Sequence, residues 1–323
     1  MTKIDVYSGF LGAGKTTLIK KMIKEAYAGQ KLVLIENEFG EIGIDGGFLQ
    51  EAGIEITEMN SGCICCSLVG DFGKALEKVI AEYAPDRILI EPSGVGKLSD
   101  VVAAVEKVVS DDVQLGNTVT VADAGKCKMY MKNFGEFYNN QVETAGTVIL
   151  SRTDSISEEK LHTAVELIKG KNPNAVVVTT PWDQLTGLQI LEAMEQGNTM
   201  LKELEHEHHH HHEHDEHCDC GCHDHEHHHH HHADEVFTSW GVETPKKFSE
   251  EEIHAILAAF DNGEYGMVLR AKGIVAAKEG KWIHFDYVPE EHDIRRGAAG
   301  VTGRLCVIGS KICEQKLAEL FGV

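Results

Sequence analysis

One short pattern near the start of the chain limits the fold more than any other feature. The residues GFLGAGKT at positions 9–16 fit GxxxxGK[ST], with an apolar run before them and a helical pattern after them. Glycine lets successive backbone N–H groups converge on phosphate oxygens, and the following helix adds the positive end of its dipole. The pattern therefore predicts a P-loop, which binds the phosphates of a nucleotide.

Strands alternate with helices over residues 1–202. Apolar runs predict strands at Lys3–Tyr7, Leu32–Glu36, Arg87–Glu91, Val119–Asp123, Val148–Leu150 and Ala175–Thr179. Periodic patterns between them predict helices at Thr16–Tyr27, Lys74–Glu82, Val101–Val109 and Glu158–Lys169. Because such alternation needs crossover connections, we expect an α/β P-loop NTPase domain with a mainly parallel sheet.

The catalytic residues are predicted from the P-loop and from the end of a neighbouring strand. Lys15 is expected to neutralise the β and γ phosphate oxygens, and Thr16 to give its hydroxyl to Mg²⁺. Glu91 ends a predicted strand at the edge where open α/β sheets bind ligands, so it can organise Mg²⁺ or water there. The alternative for Glu91 is a plain strand-end residue before a Pro/Gly turn. The predicted nucleotide-binding set is Gly9, Gly12, Ala13, Gly14, Lys15, Thr16, Thr17, Gly94 and Asp154.

The choice of base depends on a third segment. Residues 151–154 read SRTD and follow an apolar strand, where GTPases place Asn-Lys-x-Asp. Asp154 can accept hydrogen bonds from the N1–H and 2-amino groups of guanine, which adenine cannot reciprocate. Ser151 and Arg152 differ from the usual residues, so the sequence favours GTP and keeps ATP as the alternative.

Three cysteines in four residues form the second strong feature. Cys63, Cys65 and Cys66 lie on one short segment after a glycine, and thiolates are preferred ligands of zinc and of copper(I). Glu36, Glu41 or a water molecule can complete the coordination. Inert buried cysteines and a redox pair are the alternatives. The cluster follows the segment after the second strand, where GTPases have a loop ordered by the γ-phosphate, so nucleotide state and metal affinity can be coupled.

Residues 203–235 form a His/Asp/Glu/Cys-rich segment. It holds sixteen of the twenty histidines and cannot bury a core, so we expect a disordered linker. Imidazole binds zinc, nickel, copper and cobalt, and residues 206–232, with Cys218, Cys220 and Cys222, are therefore expected to bind metal. A solvated spacer is the alternative.

Residues 236–323 predict a smaller α+β domain. Strand-like runs lie at Val236–Trp240, Met267–Lys272, Trp282–Tyr287 and Leu305–Ile308. The helices are expected from a capping-box pattern at Ser249 to Phe260, and over Lys311–Phe321. The isolated residues Cys127, Cys306 and Cys313 are expected in the core, and His162, His254, His284 and His292 at surface or structural positions.

Composition excludes several classes of protein. The formal net charge of −22 argues against a nucleic-acid partner, because phosphate binding needs a basic surface. No run approaches the ~20 apolar residues of a membrane span, and the start lacks the pattern of a secretory signal. We expect a cytoplasmic protein without a membrane partner, whose nine cysteines serve as thiols or metal ligands.

Together, four segments resemble the CobW family of metallochaperone GTPases, relatives of the urease and hydrogenase nickel-insertion GTPases. They are GFLGAGKTT from position 9, ENEFGE from 36, GCICC from 62 and LRAKG from 269. The resemblance implies hydrolysis of GTP with magnesium, coupled to delivery of a transition metal to a client metalloprotein. Zinc is the common cargo, and cobalt or nickel are the alternatives. It also implies that pairing of two copies can supply an arginine, so a homodimer is kept as an expectation.

The resemblance assigns the P-loop residues to nucleotide, the three clustered cysteines to metal, and Glu36 and Glu41 to positions near the metal. The sequence departs from the family pattern at residues 94–97, which read GVGK. Two other classes stay open: a metal-buffering protein with a vestigial nucleotide site, and a P-loop kinase of small molecules.

Overall fold

The computed structural model describes residues 1–36, 55–58, 69–209, 236–300 and 302–323. The strands of the first domain are β1 (Thr2–Gly9), β2 (Leu32–Glu36), β3 (Glu55–Glu58), β4 (Arg87–Glu91), β5 (Val113–Asp123), β6 (Thr147–Ser151) and β7 (Val176–Val178). Its helices are α1 (Lys15–Glu25), α2 (Val69–Tyr83), α3 (Leu98–Glu106), α4 (Cys127–Asn133), α5 (Gly135–Thr144), α6 (Glu158–Lys171) and α7 (Gly187–His209).

Within the described residues, these strands form one sheet in the order β3-β2-β4-β1-β5-β6-β7. All the strand pairs in it are parallel. The central strands are buried at nearly every position, as expected for a sheet covered by helices on both faces. β1 leads directly into the P-loop, and β2, β4, β5 and β6 end at the same edge. The predicted α/β fold is confirmed.

The second domain contains a mainly antiparallel sheet with helices on one face. Its elements are β8 (Thr238–Thr244), β9 (Lys247–Phe248), α8 (Glu250–Ala259), β10 (Met267–Ala277), β11 (Trp282–Val288), β12 (Glu291–Gly297), β13 (Gly303–Ser310) and α9 (Glu314–Phe321). The strand order is β12-β11-β10-β13-β8, and β9 pairs with β10. The capping box predicted at Ser249 is present, because Ser249 and Glu252 exchange hydrogen bonds at the start of α8.

Several boundaries differ from the prediction. The helix α7 continues to His209, so residues 203–209, expected in the disordered linker, are helical. The strand expected from Val236 begins at Thr238, and the last helix begins at Glu314 because Lys311 adopts a positive φ of 54°. The strand β12 was not predicted, because its sequence, EHDIRRG, has almost no apolar residues.

A shared hydrophobic core joins the two domains. Phe237 packs against Phe10, Phe134 and Phe137, with ring centroids 6.1, 5.3 and 5.1 Å apart. Leu269 of β10 and Ile308 of β13 belong to the same buried cluster. Because Phe10 is part of the P-loop, the second domain contacts the phosphate-binding segment directly.

Among the helices of the described residues, none combines the length and the apolar character that a membrane crossing requires.

Candidate nucleotide-binding site

The P-loop links the end of β1 to the start of α1. Gly14 caps α1 in a left-handed conformation with a φ of 101°, and the helix begins at Lys15. Gly12 also has a positive φ, 68°, and a Cβ added there would lie 2.0 Å from Cγ1 of Val288 in β11. Glycine is therefore required at position 12 both by the backbone conformation and by contact with the second domain.

Three residues predicted as catalytic lie together at this loop. The Thr16 hydroxyl donates to Glu91, 3.0 and 3.1 Å from its two carboxylate oxygens. The buried Lys15 ammonium lies 3.4 Å from the carbonyl oxygen of Phe10. A hydroxyl and a carboxylate at one point are the hard oxygen donors that Mg²⁺ prefers, so these residues fit the metal expected in a P-loop site. Glu36 is paired with Glu91 in the sheet register, so β2 also ends beside this point.

The loop after β4 packs closely on the P-loop. A Cβ on Gly94 would lie 2.9 Å from the backbone nitrogen of Leu11. Gln141, fully buried on α5, donates to the carbonyl oxygens of Gly94 and Gly96 at 3.2 and 2.8 Å. This amide fixes the loop that follows Glu91. No motif in the sequence marks Gln141 as part of the site.

Arg152, which replaces the usual lysine of the guanine motif, connects four segments. Its Nη1 donates to the carbonyl oxygen of Gly12 at 3.1 Å and to Asp123 at 2.9 Å. Its Nε lies 3.0 Å from a carboxylate oxygen of Glu291 in β12. The side chain therefore ties the P-loop to the ends of β5 and β6 and to the second domain. From the sequence, Arg152 is only a departure from the guanine motif.

The predicted base-binding edge lies beside this arginine. Asp154 is exposed in a short 3-10 helix, Thr153–Ser155. The hydroxyls of Ser151 and Thr153 are buried and have no hydrogen-bond partner among the described residues. Trp182 donates from its indole N–H to the carbonyl oxygen of Leu150 at 2.8 Å, and its ring lies 3.2 Å from the Cβ position of Gly14. Trp182 thus lies against the P-loop, and no short motif in the sequence marks it as part of the site.

One further cation lies at this edge. Lys126 is 3.9 Å from a carboxylate oxygen of Asp123. Burial lowers the pKa of Lys126, the positive charge of Arg152 lowers it further, and Asp123 acts in the opposite direction. Asp123 therefore serves two cations, Lys126 and Arg152, and is nearly buried itself.

A pocket of about 370 Å³ lies between the P-loop and the sheet of the second domain. Its cationic side chains are Lys15, Lys20, Arg152, Arg270, Lys272 and Arg295, and its carboxylates are Glu91, Asp286, Glu291 and Asp293. Six cations against four carboxylates make this pocket positive, although the whole chain has a net charge of −22. A positive pocket at a P-loop suits a polyphosphate.

Most of the predicted transition-metal ligands lie outside the described residues. These are Cys63, Cys65, Cys66, Glu41, Cys218, Cys220 and Cys222, together with the histidines within residues 210–232. Glu36 ends β2, and His206, His208 and His209 lie in α7. In the described parts of the chain, no group of three or more His, Cys, Asp or Glu residues is placed to hold a metal ion.

The isolated cysteines divide into two kinds. Cys127 and Cys306 are buried, as predicted, whereas Cys313 is exposed and the prediction of a core position was wrong. Cys313 directly precedes α9, so its side chain falls outside the packed face of that helix. Burial raises the pKa of Cys127 to about 11, so this thiol stays protonated at neutral pH.

The parallel sheet, the P-loop and the Lys15–Thr16–Glu91 cluster define a P-loop NTPase. Residues 3–179 match the family described as CobW/HypB/UreG, nucleotide-binding domain, and residues 237–322 match the cobalamin synthesis protein cobW C-terminal domain. The chain belongs to the CobW/HypB/UreG family, whose members are P-loop GTPases. The resemblance found in the sequence is confirmed.

Curated relatives in this family carry zinc-related names. The zinc chaperone CobW of Sinorhizobium sp is 31% identical over 185 residues, which are 48% of this chain and 52% of the relative. The zinc-regulated GTPase metalloprotein activator 1 of Schizosaccharomyces pombe is 28% identical over 212 residues, 62% of this chain and 51% of the relative. The chain thus spans about half the length of these relatives. Among solved structures, the Zn(II)-bound YjiA GTPase from E. coli has a TM-score of 0.46 and 21% identity, covering 99% of this chain and 98% of that one.

Proposed function

We propose that this protein hydrolyses GTP and uses the nucleotide cycle to deliver zinc to a client metalloprotein. The observation that carries the proposal is the meeting of Lys15, Thr16 and Glu91 at a positive pocket in a chain of this family. The names of the curated relatives, a zinc chaperone and a zinc-regulated GTPase activator, support zinc as the cargo.

In the proposed hydrolysis, water attacks the γ-phosphorus and the bond to the β–γ bridging oxygen breaks, which gives GDP and phosphate. Lys15 and the first N–H groups of α1 stabilise the charge on the transferring group. Glu91 orients the attacking water and does not act as a general base. The Thr16 hydroxyl and Glu91 would hold Mg²⁺, which would supply positive charge to the phosphate oxygens.

Guanine specificity is assigned to Asp154, which is exposed in the short 3-10 helix that directly follows Arg152. Its carboxylate can accept two hydrogen bonds from guanine, whereas adenine offers no matching donors. Because Arg152 ties this segment to the carbonyl oxygen of Gly12, the base-binding and phosphate-binding segments are mechanically connected.

The cargo zinc is assigned to Cys63, Cys65 and Cys66, with Glu36 and Glu41 nearby. The pairing of Glu36 with Glu91 supports coupling, because the chain leaves β2 for this segment directly beside a phosphate-site residue. If GTP and zinc favour the same arrangement, linkage of about 1–3 kcal/mol changes zinc affinity roughly 5–150-fold between nucleotide states.

Residues 206–232 are proposed to capture several zinc ions with low affinity and to raise their concentration near the cysteines. The ligand supply supports this role, since sixteen histidines and three cysteines lie in that segment. Thiolate ligands need a reducing compartment, so we place the protein in the cytoplasm.

GTP turnover with zinc, cobalt or nickel titrated in tests the proposal. Lys15→Ala should reduce turnover by about two orders of magnitude, because a charge-stabilising donor is lost. Lys24→Ala is the matched control, since Lys24 lies exposed on the same helix. Cys65→Ala should keep basal turnover and lose the response to zinc.

Other outcomes would point to other classes. Zinc transfer that is unchanged in Lys15→Ala would indicate a metal-buffering protein, and a phosphorylated small molecule in place of free phosphate would indicate a kinase. A response to cobalt or nickel alone would replace zinc as the cargo.

Zinc stoichiometry tests the histidine-rich segment separately. A variant that lacks residues 210–232 keeps the whole of α7, which ends at His209. We expect the full chain to bind at least two more zinc ions than this variant. Equal stoichiometry in both proteins would refute the capture role.

A further inference from the structure

The sheet of the second domain presents two chemically different faces. Ala271 and Val275 of β10 point into the apolar core formed with α8 and α9. Arg270 and Lys272, at alternate positions of the same strand, line the pocket over the P-loop. Because successive side chains of a strand point to opposite faces, this alternation places both cations on the face that covers the P-loop.

The position of this face is fixed by contacts on three sides of the pocket. Val288 fits against Gly12, Glu291 pairs with Arg152, and Phe237 packs on Phe10. Ile308 is buried in the shared core on this side of the sheet, and Leu269 also reaches that core because the register of β10 and β13 shifts between Val268 and Arg270. The cations of β10 are therefore held opposite the P-loop by packing that does not depend on them.

The cations of this face have different neighbours. Arg295 of β12 lies 2.7 Å from both Asp286 and Asp293. Lys272 lies directly across from Asp286 in the register of β10 and β11. Arg270 lies two residues before Lys272 in β10. Its partner in the register with β13 is Ile308, which is apolar. A pocket with this excess of cations binds a multiply charged anion better than an anion with few charges.

We propose that the triphosphate site is composite: Arg270 and Lys272 of the second domain bind phosphate oxygens from the side opposite Lys15 and α1. A planar guanidinium can hold two phosphate oxygens at once, and the ammonium adds a point charge. The second domain then senses whether a triphosphate or a diphosphate is present. The inference rests on the proposed nucleotide function and adds phosphate ligands that come from outside the P-loop domain.

Binding of GTPγS and of GDP, each with Mg²⁺, by titration calorimetry tests the inference in the full chain. Arg270→Gln and Lys272→Gln should each weaken GTPγS binding about tenfold or more and GDP binding less than about threefold, because the triphosphate carries the additional charge. Arg304→Gln is the matched control, since Arg304 lies on β13 beside Ile274 and does not line the pocket. It should leave both affinities unchanged.

Further variants separate binding from folding. Arg270→Lys keeps the charge and should recover part of the affinity for GTPγS, which a merely structural role would not explain. Circular dichroism and melting curves report whether each variant folds, and if Arg270→Gln does not fold, Lys272→Gln decides.

Wild-type affinity for both nucleotides in the two glutamine variants would overturn the inference, and so would an equal loss for GTPγS and GDP. Failure of the proposed function has a different signature, in which the wild-type chain itself binds no guanine nucleotide. If the wild type binds and Lys15→Ala does not, the P-loop assignment stands whatever the β10 variants show.

Discussion

Two Asp–Arg ion pairs in the first domain have the same chemistry and different surroundings. Asp5 and Arg87 pair between β1 and β4, where their side chains are 0% and 6% exposed. Asp123 and Arg152 pair at the P-loop edge, where the aspartate is 5% and the arginine 31% exposed. The first pair lies inside one domain and the second at the junction of two.

The interior pair is surrounded by partners from its own domain. Asp5 accepts a hydrogen bond from Tyr27 at 3.1 Å, and from the backbone and side-chain nitrogens of Asn117 at 2.7 and 3.2 Å. The guanidinium of Arg87 lies 4.4 Å from the ring centroid of Tyr27 and donates to Gln30 at 3.0 Å. These contacts join three strands and the turn that follows α1, and none of the residues lines the nucleotide pocket.

The edge pair connects the P-loop with the second domain. Arg152 contacts a P-loop carbonyl and a carboxylate of the second domain as well as Asp123. The buried pair, with hydrogen-bond partners from its own domain, therefore mainly stabilises the fold. The partly exposed pair, with partners from several segments, mainly holds the nucleotide-binding site together. Substitutions should therefore affect different measurements in the two places.

The largest effect is expected at the interior pair. Asp5→Asn removes the charge that compensates Arg87, and an uncompensated buried charge should lower the free energy of unfolding by about 3 kcal/mol or more. Urea denaturation measures the loss. Asp111→Asn, at an exposed position, should change stability by less than about 0.5 kcal/mol. Similar losses in the two variants would break the comparison.

A smaller loss of stability and a larger loss of binding are expected at the edge pair. Arg152→Gln should cost about 1 kcal/mol of stability and weaken GTPγS binding about tenfold, because the P-loop loses a charge-assisted hydrogen bond at Gly12. Calorimetric titration and urea denaturation measure the two effects. Glu291→Gln keeps the Gly12 contact and removes only a half-exposed partner, so less than about a threefold change is expected. Equal effects of both substitutions on binding would show that the domain contact, rather than the P-loop contact, is important.

The smallest effect is expected at a carboxylate far from the nucleotide pocket, Glu252, whose side chain is 43% exposed. Hydrogen bonding to Lys278 and to the backbone N–H of Ser249 lowers the pKa of Glu252 below its ordinary value of 4.5. A lowered pKa contributes stability above pH 4.5 that is lost as the pH falls through the folded-state pKa. The melting temperatures of wild type and Glu252→Gln should therefore differ at pH 7 and converge at low pH. A constant difference at all pH values would contradict this origin.

Much of the first domain could be predicted because its signals are local. The apolar runs predict β2 and β4 at their observed bounds, and the spacing of the P-loop residues predicts which glycines and which lysine lie on the loop between β1 and α1. Glu91 was placed at a strand end next to the P-loop, where it meets Thr16. Motif spacing carries this information because consecutive residues on one loop have fixed relative positions.

The contributions from distant segments could not be predicted. Gln141, Trp182 and Glu291 reach the site across many residues of sequence, and no short pattern marks them. The sequence does not predict the polar strand β12. Alternating apolar residues indicate a strand, and β12 has almost none. Arg270 lines the pocket because the two domains pack against each other. That packing depends on tertiary contacts, which no short sequence pattern shows.

The packing of Phe237 on Phe10 has a consequence for how the molecule unfolds. A chain that ended before Val236 would leave Phe10, Phe134 and Phe137 without the ring that covers them. Unfolding of the second domain alone would expose the same apolar surface to water. We therefore expect the two domains to unfold together. The calorimetric trace of the intact protein should accordingly contain one cooperative peak, and ligands that bind at either half should raise its midpoint.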